Sequence, residues 1–246
     1  MLSVDVNCDM GEGIGNDEQI MPFISSASIA CGYHAGNEDT MEQTVDLCIK
    51  YNVAIGAHPS FSDKENFGRT EMILPADEVY QLVSTQIKSL LHIVKDKKAT
   101  LHHIKPHGAL YNMAAKNSSL AAAIAKAVKN IDSSLILYGL ANSCSIKEAT
   151  EIGLKTASEV FADRTYQDDG SLTSRKEPGA MIENSDSAIS QVLQMIKNKT
   201  VYSVSGKLVS MNAETICIHG DGKHAVEFAK NINERLKKEG IGIKAI

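Results

Sequence analysis

Short apolar runs that end on small or polar residues recur along this chain, separated by stretches with helical patterning, and this alternation restricts the fold more than anything else. Residues 3–9 alternate strictly, with Val4, Val6 and Cys8 on one face and Asp5, Asn7 and Asp9 on the other. Residues 28–34 place Ser28, Ala30, Gly32 and His34 in register. Further strands are predicted over 53–58, 101–107, 135–140, 156–162 and 215–221. Between them, Asn37 is suited to cap a helix running toward Tyr51, Pro75 opens a long amphipathic helix, and Ser118 and Ser185 start two more. A hairpin is predicted near 200–211, turning at Ser205-Gly206. Strands alternating with helices imply right-handed βαβ units and a parallel sheet.

The side-chain sets Asp5/Asn7/Asp9, Ala30/Gly32/His34, Gly56/His58, Lys105/His107 and Cys217/His219/Asp221 are small or polar, and each ends on a functional group. A barrel gathers residues from every strand end into one mouth, whereas an open sheet concentrates ligands in a single crevice. The register favours the barrel, a single domain over 1–246 with seven predicted strands and the tail as a source of an eighth. Residues 101–112, Leu-His-His-Ile-Lys-Pro-His-Gly-Ala-Leu-Tyr-Asn, carry the richest set of ionisable groups. Pro106 argues against a helix there, so His103, Lys105 and His107 share one side of an extended segment. His103 and His107 then lie about 13 Å apart, too far to share a metal.

A net charge of −5 gives no basic footprint for nucleic acid or an anionic membrane, and no segment approaches the length needed to span a bilayer. The absence of a leader pattern suggests a cytoplasmic protein. The five cysteines show no Cys-x-x-Cys spacing, and most read as small buried hydrophobes. Met10-Gly11-Glu12-Gly13-Ile14-Gly15 lacks the dinucleotide fingerprint, and neither a Walker loop nor a Gly-x-Ser-x-Gly elbow occurs.

Asp9, Glu12, His34, His58, Lys105, His107, His219 and Asp221 follow or end predicted strands and would converge in a barrel. Imidazoles exchange protons near neutral pH, carboxylates activate water or hold a metal, and an ammonium stabilises an anion. Asp9, His34 and His107 are candidate ligands for a divalent metal. The polar loop after residue 162, with Arg164, Asp168, Asp169, Arg175 and Glu177, is a candidate lid or partner surface, with a disordered excursion as the alternative.

Several long blocks resemble the LamB/YcsF family. They are Val6-Asn7-Cys8-Asp9-Met10-Gly11-Glu12-Gly13, the run from Ser25 to Gly36, Ala54-Ile55-Gly56-Ala57-His58-Pro59, Phe67-Gly68-Arg69, the run from Lys105 to Asn112, Glu159-Val160-Phe161-Ala162-Asp163-Arg164 and Ile218-His219-Gly220-Asp221. The family commonly has Asn, Gly and Thr where this chain has Ser28, Ser60 and Gly222. The resemblance implies a seven-stranded β/α barrel related to glycoside hydrolases and polysaccharide deacetylases. It implies the A component of an ATP-dependent 5-oxoprolinase, converting 5-oxo-L-proline, ATP and water into L-glutamate, ADP and phosphate with partner subunits B and C. ATP is then a co-substrate, with a divalent metal such as Mg accompanying it or held in the site. On that basis Asp9, Glu12, His34, Lys105 and His107 are catalytic candidates. Asn7, His58, Arg69, Tyr111, Asn112, Arg164, His219 and Asp221 are substrate-binding candidates. The alternative expectations are a metal-dependent sugar N-deacetylase and a non-catalytic binding subunit.

Overall fold

The computed structural model describes residues 2–220 and 225–246. The chain begins with β1 (Ser3–Met10), α1 (Asp17–Ile20), β2 (Ser26–Ala30), α2 (Glu38–Tyr51) and β3 (Ala54–His58). Next come α3 (Ala76–Asp96), β4 (Leu101–Ile104), α4 (Gly108–Lys116), α5 (Ser118–Ile131) and β5 (Ile136–Leu140). The remainder is α6 (Cys144–Glu151), β6 (Lys155–Phe161), α7 (Ser185–Asn198), β7 (Thr200–Tyr202), β8 (Leu208–Ser210), β9 (Thr215–Ile218), α8 (Ala225–Lys238) and β10 (Gly242–Ile243).

Seven parallel strands close a ring in the order β1, β2, β3, β4, β5, β6, β9, and β9 pairs back onto β1 from Asp5↔Thr215 to Cys8↔Ile218. The tail does not add an eighth stave. β10 pairs with β1 only at Ser3 and Val4, continuing the seam below the point where β9 takes over. β7 and β8 form a separate antiparallel hairpin joined to the loop after β6, where Val204 donates to the Tyr166 carbonyl at 2.8 Å.

Local chemistry sets the element ends. Asn37 and Thr40 form a reciprocal capping box on α2, and Asn52 ends that helix in the left-handed conformation. Asn117 and Asn184 cap α5 and α7 through their side chains. Two features depart from the sequence expectation. β2 stops at Ala30, so His34 rides on the following loop, where Gly32 turns with a positive φ of 83°. Gly108–Lys116 forms a helix that the Pro106 break had obscured.

The core has two unlike shells. Val6, Cys8, Ile29, Ile55, Ile104, Leu137, Val160 and Ile216 point outward into a continuous apolar layer with Val83, Ile87, Leu90, Ile124 and Val128 of the helices. Each fully buried aliphatic side chain there contributes about 1.5–3 kcal/mol. That layer drives folding, which leaves the inward positions free to be polar. Inside, Asp5 accepts from Ser25, Ser26 and Thr215 at 2.6–2.7 Å, and Ile136, Tyr138 and Ala157 form a small apolar cluster. His103 stacks on Tyr138, and its ring fills the space beside Gly56, where any Cβ would come within 2.1 Å of it.

Candidate active site

At the C-terminal end of the barrel three imidazoles meet. His34 and His107 stack with ring centroids 3.8 Å apart, and His58 packs edge-on to both. The loop after β3 closes over them. Gly68, at φ +66°, is required because a Cβ would lie 2.8 Å from His34 and 2.9 Å from His107. Phe67 packs edge-on against both rings.

The hydrogen bonds fix which nitrogens carry protons. Ser60 Oγ donates to the Phe61 carbonyl, so it accepts from His34 Nδ1 at 2.9 Å. His58 Nδ1 donates to the Lys105 carbonyl at 2.6 Å, and His107 Nε2 donates to the Phe67 carbonyl at 2.9 Å. The lone pairs of His34 Nε2, His58 Nε2 and His107 Nδ1 therefore face inward with Glu12. One ligand atom from each of these four residues lies within 4.8 Å of the others. His58 Nε2 and His107 Nδ1 stand 2.9 Å apart with no proton between them unless a third proton, or a cation, supplies the attraction. Three imidazoles, each tied at its other nitrogen to an outer acceptor, together with one carboxylate fit a divalent metal. Burial, then the neighbouring His58, pushes the His34 pKa down to about 3, so its ring is neutral at ordinary pH.

Beside this cluster Lys105 is buried, with its ammonium 2.8 Å from Asp9 Oδ1, 2.8 Å from Glu159 Oε1, 2.9 Å from Asn7 Oδ1 and 3.1 Å from Cys217 Sγ. Burial opposes the Asp9 charge, but the Lys105 ammonium at 2.8 Å outweighs it and holds the carboxyl well below the usual range. Asp9, Cys217 and His219 form a second convergent group. The Lys105 ammonium already serves as the cation there, and burial pushes the Cys217 thiol well up, so this group does not suit a metal.

On the far side of Asp9, His219 Nδ1 faces both oxygens of Asp163, at 2.8 and 2.9 Å, and its Nε2 meets Arg175 Nη2 at 2.9 Å. Burial alone would raise the Asp163 pKa, yet the hydrogen bond from His219 and the nearby Arg175 guanidinium bring it below the ordinary value. The mouth thus runs from Glu12 through the histidines and Asp9 to His219 and Arg175.

The sequence profile of the LamB/YcsF family matches residues 4–246. The chain belongs to the LamB/YcsF family. A relative from Tolumonas auensis, named as the A subunit of 5-oxoprolinase, is 51% identical over 251 residues, covering all of both chains. The crystal structure of a lactam utilization protein from Thermus thermophilus superposes with a TM-score of 0.93 at 38% identity, again over all of both chains. A family 4 carbohydrate esterase from Streptomyces lividans, 12% identical, gives 0.51 over 99% of this chain and 92% of its own, a likeness of fold alone.

In this LamB/YcsF chain Asp9, Glu12, His34, His58, Lys105, His107 and His219 do gather at one mouth, but several do so in unexpected ways. The proposed metal set Asp9, His34 and His107 is divided: the two histidines join His58 and Glu12, while Asp9 groups with Cys217 and His219. Lys105 does not offer a spare ammonium to an anion, because two carboxylates already saturate it. Asn7 is likewise committed, its amide donating to Glu159 and Thr215. Asn112 is exposed and donates to the Gly108 carbonyl of its own helix. Arg164 is buried, with its guanidinium donating to the carbonyls of Thr173 and Ala180. Arg69 lies over the Phe67 ring. The hydroxyl of Tyr111 is buried beside Glu159, and burial followed by the Glu159 charge raises its pKa well above normal. Asp221 lies outside the described residues. Ser60, Glu159 and Asp163 were missed as site residues. Glu159, Phe161 and Asp163 share one parity along β6 and its extension, a signal that could have found Asp163.

Proposed function

We propose that this chain opens the lactam ring of 5-oxo-L-proline, acting as the A component of an ATP-dependent 5-oxoprolinase with partner subunits B and C. The observation that carries this reading is the meeting of a histidine cluster, a fixed carboxylate and an Asp–His pair at one barrel mouth. Relatives at half identity are named for that activity. A five-membered lactam is a stable amide, so its opening must be driven, and phosphorylation of the carbonyl oxygen by ATP would create a better electrophile. The chain has no Walker loop, so we assign ATP to the assembled complex and the lactam to this mouth.

Asp9, kept ionised by Lys105, orients the attacking water and accepts its proton. Lys105 positions Asp9 and does not touch substrate. His219, oriented by Asp163, is a second proton-transfer group on the opposite side. His34, His58, His107 and Glu12 are the residues that would hold a divalent metal. Such an ion, when bound, polarises a carbonyl oxygen as a Lewis acid.

The test is reconstitution. Glutamate release from 5-oxoproline and ATP is measured with the complete set of components and with each left out in turn. Release is expected only from the complete set, and release that persists without this chain would overturn the reading.

A further inference from the structure

The substrate proposed above is a carboxylate, and the mouth that would receive it is rich in carboxylates. Asp9, Glu12 and Asp163 line it, and Glu159 lies just below. An anionic lactam needs a cation here. Lys105 is buried between Asp9 and Glu159 and has no donor to spare. Arg164 is buried with its guanidinium on backbone carbonyls. Arg69 lies across the Phe67 ring beside the histidines.

Arg175 is differently placed. It is exposed, comes from the loop between β6 and α7, and sets Nη2 against His219 Nε2 at 2.9 Å. Because His219 Nδ1 donates to Asp163, that Nε2 presents a neutral lone pair, a weaker partner for a guanidinium than a carboxylate. The loop is built to hold this arginine in place. Arg164 grips the carbonyls of Thr173 and Ala180, Thr165 Oγ1 donates to the Gly179 carbonyl and accepts from Thr173 Oγ1, and Thr165 N donates to the Ala180 carbonyl. Both feet of the segment are pinned, and Arg175 sits on the turn between them.

We propose that Arg175 is the anion anchor of this site: it exchanges its contact with His219 for the substrate's carboxylate and thereby frees His219 Nε2 beside Asp9. A planar guanidinium grips a carboxylate with two parallel hydrogen bonds, which fixes orientation as well as position. In 5-oxoproline the carbon bearing the carboxylate and the ring carbonyl flank the ring nitrogen and point away from each other. Anchoring the first at Arg175 directs the second across Asp9 toward the histidine cluster. The anchor also gives specificity, since a lactam without the carboxylate would leave His219 blocked.

This inference rests on the 5-oxoproline reading, and the experiment separates the two. Binding of 5-oxo-L-proline and of its uncharged carboxamide to the full chain is measured by calorimetry for wild type, R175Q and R175K. The His219 imidazole nitrogens are followed by NMR in the same samples. Wild type is expected to prefer the acid, and R175Q to bind it roughly 10- to 100-fold more weakly while its affinity for the carboxamide does not fall. R175K should fall between, keeping charge without the fork. The His219 Nε2 resonance should move when wild type binds the acid, and in R175Q it should be displaced before ligand is added. An R175Q that is folded and retains the wild-type preference would overturn the anchor alone. A wild-type chain that binds neither lactam would instead defeat the 5-oxoproline reading, and the anchor with it.

Discussion

Ser60 shows how much a single residue decides. Its hydroxyl donates to the Phe61 carbonyl and so can only accept from His34, which sends the His34 lone pair inward toward Glu12. Replacing Ser60 with Ala should weaken divalent metal binding about 10- to 100-fold. Titration with Co(II), read by absorption, would check this, and unchanged affinity would mean that the tautomer is set elsewhere. Lys105 is buried between two carboxylates, Asp9 and Glu159. Lys105→Met would leave Asp9 and Glu159 buried without their cation, and stability should fall by about 3–5 kcal/mol in urea unfolding. Adding Glu159→Gln to that variant should restore part of the loss. At this scale the sequence was partly legible. Parity along β1 and β4 placed Asp9 and Lys105 on inner faces, but the saturation of Lys105 depends on Glu159 from a distant strand, which no local pattern reveals.

The βα unit delivers these side chains, and its loops decide where they end up. Parity served wherever the backbone stayed extended: beyond β4, Lys105 N and His107 N still pair with the carbonyls of Ala57 and Pro59. It failed at His34, because β2 ends four residues earlier and Gly32 turns the chain. The loop from Pro59 to Arg69 shapes the histidine cluster through Phe67 and Gly68. Gly68→Ala should force His34 and His107 apart and also strain a left-handed backbone position. Metal binding should drop sharply in that variant while the barrel remains folded, as judged by metal titration beside circular dichroism. The loop between β6 and α7 looked from sequence like either a lid or a disordered excursion. Its hydrogen bonds through Arg164 and Thr165 make it a pinned loop, a distinction that rests on backbone carbonyls and so was invisible in the residue string.

For the molecule as a whole, the alternation of strands and helices was enough to expect a ring, and β9 pairing with both β6 and β1 is that closure. Its polar interior has a consequence for pH. His103 is fully buried, and burial, then His102 and Lys105, hold its pKa well below the usual value. His34 is shifted the same way, to about 3. Unfolded histidines take up protons near pH 6.5, whereas these native rings do not, so the unfolded state binds more protons below that point. Their stabilisation is complete above about pH 6.5 and is lost as pH falls, at about 1.4 kcal/mol per pH unit for each ring. Urea melts across this range should show that slope, and His103→Gln should make it shallower. Among the described residues no helix is long and apolar enough to cross a membrane. We propose above that the barrel mouth performs the ring opening, with Asp9 directing water. The most direct measurement is glutamate release from 5-oxoproline by the reconstituted complex carrying Asp9→Asn, a change of nearly the same shape. Turnover should fall by about 100-fold or more with the protein still folded, and a folded variant that turns over at the wild-type rate would contradict it.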